Sequence, residues 1–370
     1  MGYDANEDTY ATSCDEFSDS DTELSSVEQL FKGYEPSLLV LDGSDHVLFS
    51  QIDKLIDCMK KAQLVQQVRV STAFLQGLDT AEADALFAAI AGMAPICDTL
   101  ICHMHRHLPR AEMQQGGLLK CIGTISNLTL NNFILNDQLI EALGSNADLT
   151  ELRAYFDSKE EASGLDPLMK TLGQSQRLKV LDVYAKEDES PHKRRRLTGE
   201  ALSILCQNTA LKELKLWHLD TDLTVAVAKA LETNKTLERL TMTACFSKNE
   251  GYTAVAEMLK VNQGLVKIYI TDIISADSCV DIAEGLRNNK TLKELELTYS
   301  AESEKVGEAM VKMLEHNTTI TLLKLYMSYS FENDMSFSAE KGTEYEDTQS
   351  ASDWEAKVDN YLQMNRAGTR

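Results

Sequence analysis

Aromatic residues make up only 6% of this 370-residue sequence and prolines number 5, a composition that favours regular, helix-rich structure. Bases are in the minority, 36 against 58 acids, for a net charge of −22. Recognition of a DNA or RNA backbone needs basic stripes, so no nucleic-acid partner is expected. No run of 18 apolar residues occurs, so no spanning helix is predicted and no membrane partner is expected. The first residues are acidic and polar, without a basic stretch leading into an apolar one, which predicts no secretory signal. A myristoylation pattern wants Ser or Thr at position 6, where Asn6 stands. The 8 cysteines (Cys14, Cys58, Cys97, Cys102, Cys121, Cys206, Cys245 and Cys279) never pair as CxxC and mostly sit within apolar patterns. They read as free, buried thiols of a reducing compartment, and a cytoplasmic location is the expectation.

Signatures of catalysis are missing too. Neither GxGxxG nor GxxxxGK followed by Ser or Thr occurs, nor Gly-x-Ser-x-Gly, nor His-Glu-x-x-His. No enzymatic activity, no cofactor and no metal is expected.

The charge is unevenly placed. Residues 1–26 hold eight acids and no Lys or Arg, and residues 332–370 hold nine acids and four bases. The chain therefore divides into an acidic disordered tail (1–25), a mildly acidic body (26–331), a polar linker (332–351) and a C-terminal helix (352–370). Ser18, Ser20 and Thr22 lie among acids in the tail, where phosphorylation adds charge. In the last segment an N-cap at Ser352 or Asp353 precedes Trp354, Val358, Tyr361 and Leu362 on one helical face. Such a helix serves either as a cap folded over the body or as a detachable partner-binding element.

The body is long for one compact core, so either several domains or a repeat array is expected. "NKTLERLTM", starting at Asn234, returns as "NKTLKELEL" at Asn289. The template apolar-x-x-apolar-x-apolar, a short strand with alternate residues inward, begins eleven times. Its starts are Leu38, Val65, Cys97, Ile125, Leu149, Leu178, Leu211, Leu237, Leu265, Leu292 and Ile320. Ten steps cover 282 residues, a mean near 28. Between strands the spacing is helical: in "TDLTVAVAKALETN", Leu223, Val227 and Leu231 fall four apart, and Thr221 or Asp222 is predicted to accept the first free amides. Three residues before the strand start stand Asn146, Ser175, Asn208, Asn234, Asn262, Asn289 and Asn317. Asn tolerates the left-handed conformation in which helices commonly end, so the series predicts helix stop, turn and strand start.

A period of about 20–29 residues with this strand pattern resembles the leucine-rich repeats. The helix in every unit is similar to the ribonuclease-inhibitor-like branch, shared by sensor regions of immune receptors, by tropomodulin and by the GTPase activator of Ran. Over residues 38–325 the resemblance implies an α/β leucine-rich-repeat solenoid, a horseshoe of about eleven strand-helix units with a parallel concave sheet and outer helices. The ninth position of each unit, where that family carries Asn or Cys, departs: of His46, Ala73, His105, Phe133, Asp157, Lys186, Leu219, Cys245, Ile273, Ser300 and Ser328, only Cys245 fits. The resemblance implies a non-enzymatic scaffold that binds a protein partner on its concave face. Its alternative is a GTPase-activating protein similar to the activator of Ran, whose functional residues find no position-by-position match here. An innate-sensor fragment would lack its nucleotide-binding domain.

Two steps are long, Val65 to Cys97 and Leu178 to Leu211. The second contains "KEDESPHKRRRL", whose Lys193, Arg194, Arg195 and Arg196 form the one basic run. It reads as a nuclear import signal, as a solvated loop pairing with Glu187, Asp188 and Glu189, or as a dock for an acidic partner. "CDTLICHMHRH" gathers Cys97, Cys102, His103, His105 and His107, but the spacing matches no zinc pattern, and alternation turns both cysteines inward and His103 to the concave face.

Strand positions three, five and seven face that concave side. Position seven reads Ser44, Ser71, His103, Asn131, Tyr155, Tyr184, Trp217, Thr243, Thr271, Thr298 and Tyr326, so Tyr155, Tyr184 and Trp217 form a row. Arg153, Asp182, Lys215, Arg239 and Tyr269 lie beside them at positions three and five, with Glu213 and Lys267. Neighbouring aromatics flanked by charge are what interface hot spots are made of. The competing reading folds these rings down over strand edges.

Overall fold

A computed structural model describes residues 27, 31, 37–42, 51–94, 96–103, 116–156, 165–185, 197–243, 248–300, 303–328 and 353–369. The acidic tail, the polar linker, the basic run Lys193–Arg196 and the residues Ser44, His46, His105, His107, Asp157, Lys186 and Cys245 lie outside them.

Eleven strands form one parallel sheet in strict chain order. They are β1 (Leu38–Leu41), β2 (Gln67–Val70), β3 (Thr99–His103), β4 (Asn127–Phe133), β5 (Glu151–Phe156), β6 (Val180–Ala185), β7 (Glu213–Trp217), β8 (Arg239–Thr243), β9 (Lys267–Ile274), β10 (Glu294–Ser300) and β11 (Leu322–Ser328). The helices are α1 (Ile52–Met59), α2 (Thr72–Gln76), α3 (Thr80–Met93), α4 (Gly116–Ile122), α5 (Asp137–Ser145), α6 (Leu165–Gly173), α7 (Gly199–Cys206), α8 (Thr221–Leu231), α9 (Asn249–Val261), α10 (Ala276–Leu286), α11 (Ser303–Leu314) and α12 (Asp353–Ala367). Adjacent strands sit about 4.8 Å apart while packed helices need about 8–10 Å. A layer of each, joined unit by unit, must therefore curve with the strands inside. The chain is a leucine-rich-repeat solenoid of the horseshoe kind, in which each unit is completed by its neighbours.

The core lies between the layers. From β1 to β10, the residues at template positions four and six are at most 4% exposed. The first unit corrects the sequence reading. Pairing aligns Leu39 with Val68 and Leu41 with Val70, two residues earlier than a start at Leu38 implies. Leu38 is half-buried, Val40 is exposed, and position seven falls on Asp42 instead of Ser44. The cause is the sequence LLVL, apolar at every position, in which alternation carries no register. The long second step holds two helices: Ser71 caps α2 by accepting from the Phe74 N–H, and Asp79 with Glu82 forms a capping box on α3. Ser71 is thus spent on a helix. The cap of α8 is Asp220, whose Oδ1 lies 2.9 Å from the Leu223 N–H, rather than Thr221 or Asp222.

The asparagine series works differently from a left-handed stop. Asn146 and Asn262 have φ of −73° and −64°, in extended backbone. Among the described non-glycine residues only Asn132 and His218 have positive φ. What the position needs is the amide. Asn262 donates from Nδ2 to the carbonyls of Leu231 (2.6 Å) and Asn234 (3.0 Å) in the preceding unit, and its Oδ1 accepts the N–H groups of Gly264 (2.9 Å) and Leu265 (2.8 Å). Asn208, Asn234, Asn289 and Asn317 repeat the arrangement, each donating to the backbone carbonyl of the previous residue in the series. All are buried. From Asn208 to Asn317 an unbroken ladder of amides therefore ties unit to unit where backbone groups would otherwise be left unpaired inside the array. Ser175 keeps only the accepting half, with its Oγ taking the Leu178 N–H. At the ninth template position Phe133 and Leu219 are fully buried.

α12 packs on α11 with Val358 and Leu362 buried and Trp354 and Tyr361 half-buried. The Trp354 ring lies against Gly307, where a Cβ would come within 2.1 Å of Trp354 Cδ2, so only glycine admits the ring there.

Candidate protein-binding surface

The parallel register brings like positions of neighbouring strands side by side, and charge is arranged accordingly. Glu213 pairs with Arg239 (2.5 Å) and Lys267 with Glu294 (2.7 Å) at position three, while Asp182 pairs with Lys215 and Glu296 with Lys324 (both 3.6 Å) at position five. Arg153 turns along its own strand to Glu151 (2.8 Å). Partly exposed pairs such as these contribute little stability each. Their consequence is electrostatic: five cations and five anions cancel over the C-terminal half of the concave face. Tyr269 donates its hydroxyl to Glu294 (2.9 Å). Burial, then that carboxylate, pushes its phenol up to about 12, while the Lys267 ammonium beside Glu294 holds its carboxyl below the usual range.

Tyr155, Tyr184 and Trp217 are brought together as one cluster. Ring centroids are 6.2 Å apart for Tyr155 and Tyr184, 5.4 Å for Tyr184 and Trp217, and 6.5 Å for Tyr155 and Trp217, all tilted or edge-on. Asp182 is the hub. Its Oδ1 accepts from Trp217 Nε1 (2.8 Å), its Oδ2 accepts from the Tyr155 hydroxyl (3.3 Å), and the Lys215 ammonium pairs with it while lying 4.2 Å over the Trp217 ring. The three rings are half-buried. His218 was not foreseen: its backbone is left-handed (φ 53°), and its ring centroid lies 5.3 Å from that of Tyr184. Arg239 stands one strand further along, tied to Glu213, Tyr269 lies two strands from Trp217, and Arg153 stays with Glu151, so the predicted residues fall into one cluster and three flanking pairs.

The N-terminal half of the face is nearly uncharged. Its described members include the exposed Val40, the half-buried Ile101 and Arg69, and His103, which bonds Asn131 Nδ2 through Nδ1 (2.8 Å). Burial, then the Arg69 charge, lowers the His103 pKa. Cys97 and Cys102 are buried as the alternation requires. Among the described residues no group of three or more His, Cys, Asp or Glu is placed to hold a metal ion, and no helix is long and apolar enough to cross a membrane.

Six described cysteines are free, and five of them, Cys97, Cys102, Cys121, Cys206 and Cys279, are buried. Burial pushes the Cys97 thiol up to about 11 and those of Cys206 and Cys279 up to about 12, and also raises Cys102 and Cys121. In the folded chain none of these five is expected to alkylate at mildly alkaline pH, and all should do so together in denaturant. Mass-spectrometric mapping of the labelled thiols checks this; early labelling of Cys121 alone would mean local opening between β3 and α4.

No family model matches the chain. Solved structures similar to it include the leucine-rich-repeat-containing protein LegL7 from Legionella pneumophila, at 13% identity over 93% of this chain and 94% of that one, with a TM-score of 0.42. The yeast Rad7 and Elc1 complex matches at 14% identity over 79% of this chain and 71% of the other, with a TM-score of 0.48. The actin-binding site 2 of leiomodin-1 matches at 18% identity over 46% of this chain and 89% of that one, with a TM-score of 0.35.

Proposed function

We propose that this protein is a non-enzymatic scaffold that holds a protein partner on the concave face of its repeat array, with the cluster of Tyr155, Tyr184 and Trp217 as the anchor. The observation that carries the reading is the cluster itself. Three aromatic rings stand half-exposed on the concave face, two of them bonded to one carboxylate and the third, Tyr184, packed edge-on against both, and rigid aromatics of this kind dominate the energetics of protein interfaces. Around them the charges are already matched, so contact with a folded surface demands little unpaired desolvation. The helix in every unit and the spacing near 28 support assignment to the ribonuclease-inhibitor-like branch of the repeats. α12, docked on the last repeat helix, is read as the cap that closes the array. Free thiols support a cytoplasmic location, and Lys193–Arg196 are proposed to give access to the nucleus.

A photoreactive residue tests the face. Placed at Thr241, beside the cluster, it should crosslink the partner, and placed at the exposed Lys229 on outer helix α8 it should not. Crosslinks confined to position 229 would sink the concave reading.

A further inference from the structure

The eleventh unit is incomplete in a specific way. Leu323 and Leu325 hold the positions that are core in the ten preceding units, yet here they are only half-buried. α12 packs against α11 in the place of the eleventh unit's own helix, but among the described residues no twelfth strand follows, and β11 is the edge of the sheet. The Thr321 carbonyl at the start of this edge accepts from Arg366 Nε of α12 (2.7 Å), a side chain that an incoming strand displaces, and beyond it the parallel edge presents N–H and C=O groups that no described residue pairs.

A second observation points the same way. Asn365, on α12, extends the asparagine ladder: its Nδ2 donates to the carbonyls of Asn317 (3.2 Å) and Ile320 (2.8 Å). Asn146 does the same at the corresponding positions, Ile122 (2.7 Å) and Ile125 (2.8 Å), and its Oδ1 then accepts the Asp148 N–H (3.0 Å). In Asn365 that Oδ1 is buried without a partner, and the residue is 9% exposed. With both amide hydrogens committed to carbonyls the group cannot be turned over. Its oxygen is left where the ladder takes an N–H from the start of the next strand.

We propose that the β11 edge docks an extended segment of another protein as a twelfth, parallel strand, with two apolar residues at alternate positions and an acid between them. Main-chain bonds to β11 supply the pairing, as in other strand additions. One N–H of the incoming segment bonds Asn365 Oδ1, the two apolar side chains cover Leu323 and Leu325, and the acid faces Lys324, continuing the alternation of Glu296 and Lys324 across position five. This surface is four strands from Trp217 and stands independently of the concave-face reading.

The probe is the peptide NKTLKELELTYS, identical to residues 289–300, whose Leu-Glu-Leu already lies parallel to β11 on its other side. Added to the full chain, the labelled peptide should give saturable fluorescence anisotropy in the micromolar range. Replacing both leucines of its Leu-Glu-Leu by Asp should weaken binding at least tenfold. N-methylation of alternate backbone amides should do so in one of the two alternations and not in the other, because only one set of N–H groups faces the edge. A Tyr184→Ala/Trp217→Ala chain should bind the peptide unchanged. No binding at millimolar peptide, equal binding of both methylated forms, or self-association of the chain blocking the peptide would each overturn the proposal, the last by assigning the edge to a second copy.

Discussion

Replacing Asn289 by Ala is expected to lower the unfolding free energy by about 3–5 kcal/mol, although the side chain touches no ligand and lies at a helix-to-strand turn. The amide donates to the carbonyls of Leu259 (2.8 Å) and Asn262 (3.3 Å) and accepts from the N–H groups of Thr291 (2.9 Å) and Leu292 (2.8 Å). An Ala there strands two acceptors and two donors in a dry site, at about 1–3 kcal/mol for each group that finds no substitute. Asn289→Asp should be no rescue. It keeps an acceptor for the two N–H groups but points a carboxylate oxygen at two carbonyls. The control is the neighbouring exposed Lys290, whose replacement by Ala should change stability by less than about 0.5 kcal/mol. Chemical denaturation of the three variants decides the matter, and a loss below about 1 kcal/mol for Asn289→Ala would mean that the ladder is not what holds the units together. Because a solenoid's stability is a sum over neighbouring units, damage at Asn289 should also lower the protection of the amides in β9 and β10 before those of β4 and β5.

Loss of the concave cluster is the second large effect. Tyr184→Ala combined with Trp217→Ala is expected to weaken capture of the protein partner by about a hundredfold or more, as two central aromatic anchors are removed. The structure refines what this does to stability. Each ring contacts the other two, and Trp217 is bonded to Asp182, so edge-on contacts worth about 1 kcal/mol are lost with them, and the melting temperature should fall by a few degrees. Asp182→Ala isolates the role of the hub. It keeps all three rings but removes the shared acceptor of Trp217 and Tyr155 and the counterion of Lys215. Affinity is expected to drop about tenfold with the fold intact. Unchanged affinity in the double variant would remove the binding reading, and global unfolding of it would show that the rings are packing alone.

Ten of the eleven strand starts are legible because most strands alternate apolar and polar residues, and burial on one face leaves a single alignment; toward their ends β4 and β9 bulge, so that Phe133 pairs with Phe156 and Ile273, instead of Thr271, with Thr298. The exception, LLVL, is apolar throughout and was placed two residues late. The asparagine positions were equally plain, but their purpose was not. In sequence Asn262 is the end of a helix, and the carbonyls it binds, at Leu231 and Asn234, are brought to it only when one unit stacks on the next. Asn365 escaped the period altogether, since it follows Asn317 by 48 residues. The same holds for the candidate site. That Tyr155, Tyr184 and Trp217 share a face follows from counting along each strand. That Asp182 binds Trp217 and Tyr155, residues 35 and 27 positions away, is a product of parallel pairing between units, and so is the cancellation of charge across the face. Periodicity by itself determined the strands, the helices and the side each residue faces, because those are properties of one unit. The tertiary structure alone decided which polar groups are satisfied and which edge is left open, because those depend on what the neighbouring unit supplies.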